Sequence, residues 1–101
     1  MFYLYILYSA SADKYYVGYS VDPRRRLQEH NENDGSTFTG KFNSWELRAV
    51  FSVSEIEGIA MQMERFIKKQ KSRKLIERLC DVSFIPSGRL AQLVRVPHER
   101  D

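Results

Sequence analysis

From Arg65 to Arg78 the chain carries Arg65, Lys68, Lys69, Lys71, Arg73, Lys74 and Arg78 against one acid, Glu77, and Arg24, Arg25 and Arg26 make a second basic cluster. Cations gathered in two places suit a polyanion, which the formal net charge of +3 alone would not establish. Other reactive side chains accompany them. Arg26 and His30, four apart, project from one side of a helix, and Glu64 falls with Glu57, Lys68 and Lys71 along one helix flank at about 100° per residue. Tyr5 and Tyr16 stand in two strand-like segments. Taken singly, each feature has a plainer account. The tyrosines could be a cross-strand aromatic pair, Gly18 could ease a twist, Arg26 and His30 could be a solvated helix face, and Glu64 could be half of an i,i+4 pair with Lys68. None of those accounts requires the five groups to appear in this order and to converge on one side of a small sheet.

The elements that must hold these groups are legible in the patterning. Phe2 to Tyr8 and Tyr15 to Ser20 are rich in aromatic and branched residues around the polar segment Ser9 to Lys14, which predicts a β-hairpin. Its register places Tyr5, Leu7, Tyr16 and Gly18 on one face and Leu4, Ile6, Val17 and Tyr19 on the other, so Tyr5 and Tyr16 become neighbours. Asp22-Pro23 supplies an N-cap and a proline at the first helical position for a helix to about Asn31. Glu32 to Ser44 is polar, contains Gly35 and Gly40, and reads as a long loop of the kind that often carries function. Trp45, Leu47, Ala49, Phe51 and Val53 alternate with their neighbours as a half-buried third strand. Ser54 is positioned to cap a second helix through about Lys71, with Ile56, Ala60, Met63 and Ile67 facing the sheet. Ser72 opens a short helix to about Cys80, Asp81 to Ile85 reads as a brief extended segment, and Pro86-Ser87-Gly88 as a break. The expected fold is α/β in the broad sense (α+β), a small, mainly antiparallel three-stranded sheet covered by helices.

At 101 residues the chain can bury one modest core, expected over residues 1–85. An apolar share of 43% with 29% charged residues is that of a globular protein, and no apolar run approaches the roughly 18 residues of a membrane span. MFYLYILYS has no basic start and reads as a strand rather than a secretory signal. Cys80 is alone, which excludes an internal disulfide framework and a cysteine-based zinc site; a reducing cytoplasm is expected. Gly88 to Val96 (GRLAQLVRV) back-translates plausibly to a transfer-RNA D arm. On that reading residues 86–101 form a tail never selected as protein, expected to be disordered, and His98 takes no functional role.

YLYILYS, then YYVGYS and DPRRRLQEHN, resembles the paired motifs of the GIY-YIG nuclease family. The match lies in the spacing of Tyr5, Tyr16, Arg26, His30 and Glu64, and it covers about residues 2 to 80. Ala60 to Arg73 (AMQMERFIKKQKSR) is similar to the glutamate helix of the family's short stand-alone subgroup. Two positions depart from the pattern: Tyr3 stands where the first motif has glycine, and no asparagine follows Asn43. The resemblance implies a metal-dependent endonuclease acting on nucleic acid, DNA ahead of RNA, with no membrane partner. In it Tyr16 is the general base, Arg26 holds phosphate oxygens, His30 orients the phosphate or relays a proton to or from Tyr5, and Glu64 anchors one Mg²⁺ or Mn²⁺. Gly18, Arg24, Arg25, Lys68 and Lys71 are the implied contacts to flanking nucleic acid. The rival expectation is a non-catalytic nucleic-acid-binding module on the same fold.

Overall fold

A β-hairpin opens the chain. In this computed structural model, which describes residues 1–32 and 44–97, β1 (Phe2–Ser9) pairs antiparallel with β2 (Lys14–Ser20), bringing Tyr5 opposite Gly18 and Leu7 opposite Tyr16. The expected faces are observed: Leu4, Ile6 and Val17 belong to one core, and Tyr5 and Leu7, with Tyr16 packed against them, to the other. The hairpin is followed by α1 (Pro23–Glu32), whose start is set by Asp22; its carboxylate accepts the Arg25 N–H at 3.2 Å. Leu27 and His30 are the buried residues of α1, and they cover the Tyr5 face. Most of the loop expected over Glu32 to Ser44 lies outside the described residues.

Strand β3 (Trp45–Ser54) runs antiparallel to β1 but does not keep the uninterrupted alternation expected for it. Ile6 pairs with Ala49 while the next residue, Leu7, pairs with Leu47, so Arg48 is an extra residue in β3. Such a bulge reverses which face the side chains take. Ala49, Phe51 and Val53 therefore join the Leu4–Ile6 core, while Trp45 and Leu47 cross to the Tyr5 side.

The Leu4–Ile6 face is covered by α2 (Glu57–Lys69), which contributes Ala60, Met63 and Ile67, and by α3 (Arg73–Cys80), which contributes Leu79. Helix α2 starts later than expected, because the Ser54 hydroxyl accepts the Ile56 N–H at 3.0 Å in a tight turn instead of capping the helix. Ile56 is consequently 61% exposed rather than part of the apolar stripe. The Ser72 hydroxyl caps α3 as expected, accepting the Leu75 N–H at 3.1 Å.

Among the described residues the sheet has four strands, in the order β2-β1-β3-β4, where β4 (Val94–Arg95) pairs with Phe51 and Ser52 of β3. The expected disorder from residue 86 onward does not hold for the described part of that segment. After a 3-10 turn at Gly88–Leu90, Leu90 and Leu93 are buried against the α2–α3 core, and the Val96 N–H donates to the Val50 carbonyl at 2.8 Å. The physical cause is apolar: two leucines three residues apart find a core surface that the short α3 leaves open. Residues 81–85 form a turn rather than an extended segment, closed by the Phe84 N–H on the Asp81 carbonyl at 3.0 Å. Arg95 donates to the carbonyls of Asp81 and Phe84, which fastens that turn to the added strand. Among the described residues no helix is long and apolar enough to cross a membrane.

Candidate active site

The site is built on a glycine. A Cβ at Gly18 would stand 2.6 Å from the Tyr5 hydroxyl oxygen and 3.0 Å from the Tyr16 ring. Only the bare backbone of β2 leaves room for the Tyr5 phenol to lie across it. From there the Tyr5 hydroxyl stands 3.1 Å from His30 Nε2, and both residues are buried, at 1% and 5% exposure. Arg26 also hydrogen-bonds the Tyr5 oxygen. Because a guanidinium only donates, that contact leaves the phenol proton available to the imidazole.

Burial pushes the Tyr5 phenol up to about 12, with the Arg26 hydrogen bond working against it. Burial, aided by the positive charge of Arg26, pushes His30 down to about 4. At neutral pH the pair is therefore an uncharged phenol against an uncharged imidazole. Arg26 itself is steadied by an ion pair with Glu29, which also accepts from Arg25 at 3.1 Å.

Tyr16 stands in front of this pair. Its ring centre is 4.7 Å from that of His30, 6.3 Å from Tyr5 and 6.5 Å from Trp45, the last edge-on. The Lys68 ammonium sits 5.2 Å from the Tyr16 ring centre and 3.3 Å from the Glu64 carboxylate. Helix α2 covers the opposite face of the sheet, so Lys68 and Glu64 reach Tyr16 round the edge strand, β2. Tyr5, Tyr16, Arg26, His30, Lys68 and Glu64 thus converge from four elements on one edge of the sheet.

Over residues 1–77 the chain matches the family described as GIY-YIG catalytic domain. It belongs to the GIY-YIG family. No curated protein and no solved structure matches the chain. The matched span contains all the converging groups and stops before β4.

Other expected contacts of this GIY-YIG domain fall elsewhere. Gly18 is buried under Tyr5, so its place is in packing rather than at a nucleic-acid surface. Arg24 and Arg25 lie exposed on the first turn of α1, Arg24 on the rim of a cavity of about 300 Å³ with Tyr3, Val21 and Val96. Lys71 lies beyond the end of α2 and shares a cavity wall with Lys68.

One supporting contact carries no signal in the sequence. The Asn31 side-chain amide donates to the Trp45 carbonyl at 3.0 Å and accepts the Trp45 N–H at 2.7 Å. This clamp ties the residue after His30 to the start of β3 and holds the Trp45 ring against Tyr16. Its partners are distant in sequence and belong to different elements, so no local pattern announces it.

Among the described residues no group of three or more His, Cys, Asp or Glu side chains could cage a metal. Glu64, with its side chain largely sheltered, is the carboxylate at the site. That donor set fits Mg²⁺, which keeps several waters and takes one or two carboxylates together with substrate phosphate oxygens.

Proposed function

We propose that this domain hydrolyses phosphodiester bonds in nucleic acid, DNA being the first substrate to test, with one divalent metal held at Glu64. The observation that carries the reading is the joint placement of Tyr16 against His30, at 4.7 Å, and of the Glu64–Lys68 pair beside the same Tyr16 ring. A pure binding surface gains nothing from a carboxylate set among phosphate-binding cations.

In this reading Tyr16 takes a proton from the attacking water. The water oxygen then bonds to phosphorus, the P–O bond to the departing strand end breaks, and that oxygen is protonated from solvent. A metal at Glu64 would supply charge neutralisation on the phosphoryl oxygens and lower the pKa of bound water. The Lys68 ammonium, 5.2 Å from the Tyr16 ring centre, adds positive charge beside that ring. The partly exposed guanidinium of Arg26 presents a planar fork to the phosphate oxygens while its other contacts hold Tyr5 and Glu29.

Tyr5 and His30 are too deeply buried to touch a polymer. They act behind Tyr16 as positioning residues, and His30, kept neutral, can accept a hydrogen bond from the Tyr5 hydroxyl. The lone Cys80 agrees with a reducing, cytoplasmic setting. The test is cleavage of labelled branched, nicked, single-stranded and duplex DNA with Mg²⁺ or Mn²⁺. Glu64→Ala should abolish cutting while binding persists; cutting that survives in Glu64→Ala would overturn the metal assignment.

A further inference from the structure

Lys68, which stands over the Tyr16 ring, also lines a cleft of about 230 Å³. The hairpin turn, through Asp13, Lys14 and Tyr15, makes one wall, and the α2–α3 junction, through Lys68, Lys71, Ser72 and Arg73, makes the other. Ile67 and Ile76 lie between them. We infer that this cleft is a second phosphate subsite, which holds a backbone phosphate of the same strand beyond the scissile linkage. The inference rests on the phosphodiesterase reading above for the identity of the strand, and adds where that strand runs.

Four cations, Lys14, Lys68, Lys71 and Arg73, line the cleft against one acid, Asp13. The acid is already engaged: its carboxylate accepts from Tyr8 at 2.8 Å and is paired with Arg73, which also donates to the Asp13 carbonyl at 3.1 Å. These bonds lock the hairpin turn to α3, so the two walls are held at a fixed separation before any ligand arrives. Lys14 and Lys71 are in no ion pair with a carboxylate among the described residues, which leaves their charges available to a ligand anion.

The backbone adds an independent observation. Three non-glycine residues of the described structure take positive φ, and two of them, Asp13 at 52° and Lys71 at 49°, line this cleft. Glycine or asparagine is the usual residue at the left-handed position that ends a helix. A lysine there costs conformational energy, which is the kind of local strain that collects at binding sites.

Lys68 connects the two places, since it lines the cleft and also sits over the Tyr16 ring. A strand whose scissile phosphate lies at Tyr16 and Arg26 therefore meets Lys68 next, and the Lys14–Lys71 rim after it, along the β2 edge. Phosphate contacts of this type set register and affinity without reading bases.

The test is the salt dependence of binding of the full chain to a short labelled single-stranded oligonucleotide, with metal chelated so that cutting plays no part. The variant is Lys14→Gln with Lys71→Asn, asparagine being chosen because it tolerates positive φ. Loss of the one phosphate held there should reduce the slope of log K against log salt by about 0.7, the value for one neutralised phosphate on a single strand. Arg89→Gln removes one charge from a residue stacked 4.5 Å over Phe66, outside the cleft, and should leave the slope unchanged. An unchanged slope in the double variant, or an equal fall in Arg89→Gln, would overturn the subsite. Failure of the hydrolase reading would show differently, as no cleavage by the wild type with Mg²⁺ whatever the slope.

Discussion

The Tyr5 hydroxyl and His30 Nε2 stand 3.1 Å apart inside the protein, with Arg26 on the same phenol oxygen. The contact joins the first strand to the last turn of the first helix. It converts two residues that look reactive in sequence into a neutral support behind a more exposed tyrosine.

That support should make stability fall in mild acid. His30 is held near 4 in the folded protein and returns to about 6.5 when unfolded, so between those values the unfolded chain binds the extra proton. Stability is therefore expected to rise with pH from about 4 to 6.5, by about 3 kcal/mol at most, and to be flat above that window as far as His30 is concerned. Urea unfolding across the window checks this. His30→Gln should flatten the acid limb, and a limb unaltered by that substitution would contradict the assignment.

Gly18→Ala should cost about 1–3 kcal/mol, since the added methyl group meets the buried Tyr5 phenol and cannot be absorbed by a flexible side-chain end. Denaturant midpoints give the stability. Cleavage measured on the fraction that remains folded should also fall, because displacing Tyr5 moves the rings against which Tyr16 packs.

Leu93→Ala should destabilise the fold by about 2–5 kcal/mol, as expected for a leucine buried to 4% exposure. Removal of everything after Ile85 should cost at least as much, because it takes Leu90, β4 and the Arg95 bonds as well. Thermal melts of both proteins provide the check; a truncated chain as stable as the full one would mean that the segment is not part of the working fold.

The hairpin, its two faces and the start of α1 were legible because each rests on a local rule: period-two patterning in the strands, and Asp22-Pro23 as an N-cap with proline behind it. Tyr5, Tyr16, Arg26, His30 and Glu64 stood out as a set only through their resemblance to the GIY-YIG motifs, because no local rule joins residues so far apart in sequence. Three features were not legible. The bulge at Arg48 changes parity without changing the alternation of residue types, so nothing local moves Trp45 to the Tyr16 side. Ser54 is a good cap by composition, yet its hydroxyl satisfies a nearer N–H. Leu90 and Leu93 lie in a short stretch with no strong period, and only the open surface beside α3 gives them a burial site. Gly18 was noticed for its motif, but its reason, the approach of Tyr5, is a tertiary contact.

Arg26→Lys should lower kcat/KM by about 10²-fold or more, comparable to the loss of one charge-stabilising donor at a reacting centre. Lysine keeps the charge but loses the fork that serves the phosphate, Tyr5 and Glu29 together. Steady-state cleavage of a fixed labelled substrate measures it, with stability checked in parallel.

The most direct measurement is single-turnover cleavage at saturating protein with Mg²⁺, comparing the wild type with Tyr16→Phe and Tyr5→Phe. If Tyr16 is the base and Tyr5 its buried support, Tyr16→Phe should slow cutting by about 10²–10⁴-fold with binding retained, and Tyr5→Phe should have a smaller effect. Cleavage by Tyr16→Phe at the wild-type rate, or a greater loss in Tyr5→Phe at equal stability, would contradict the account.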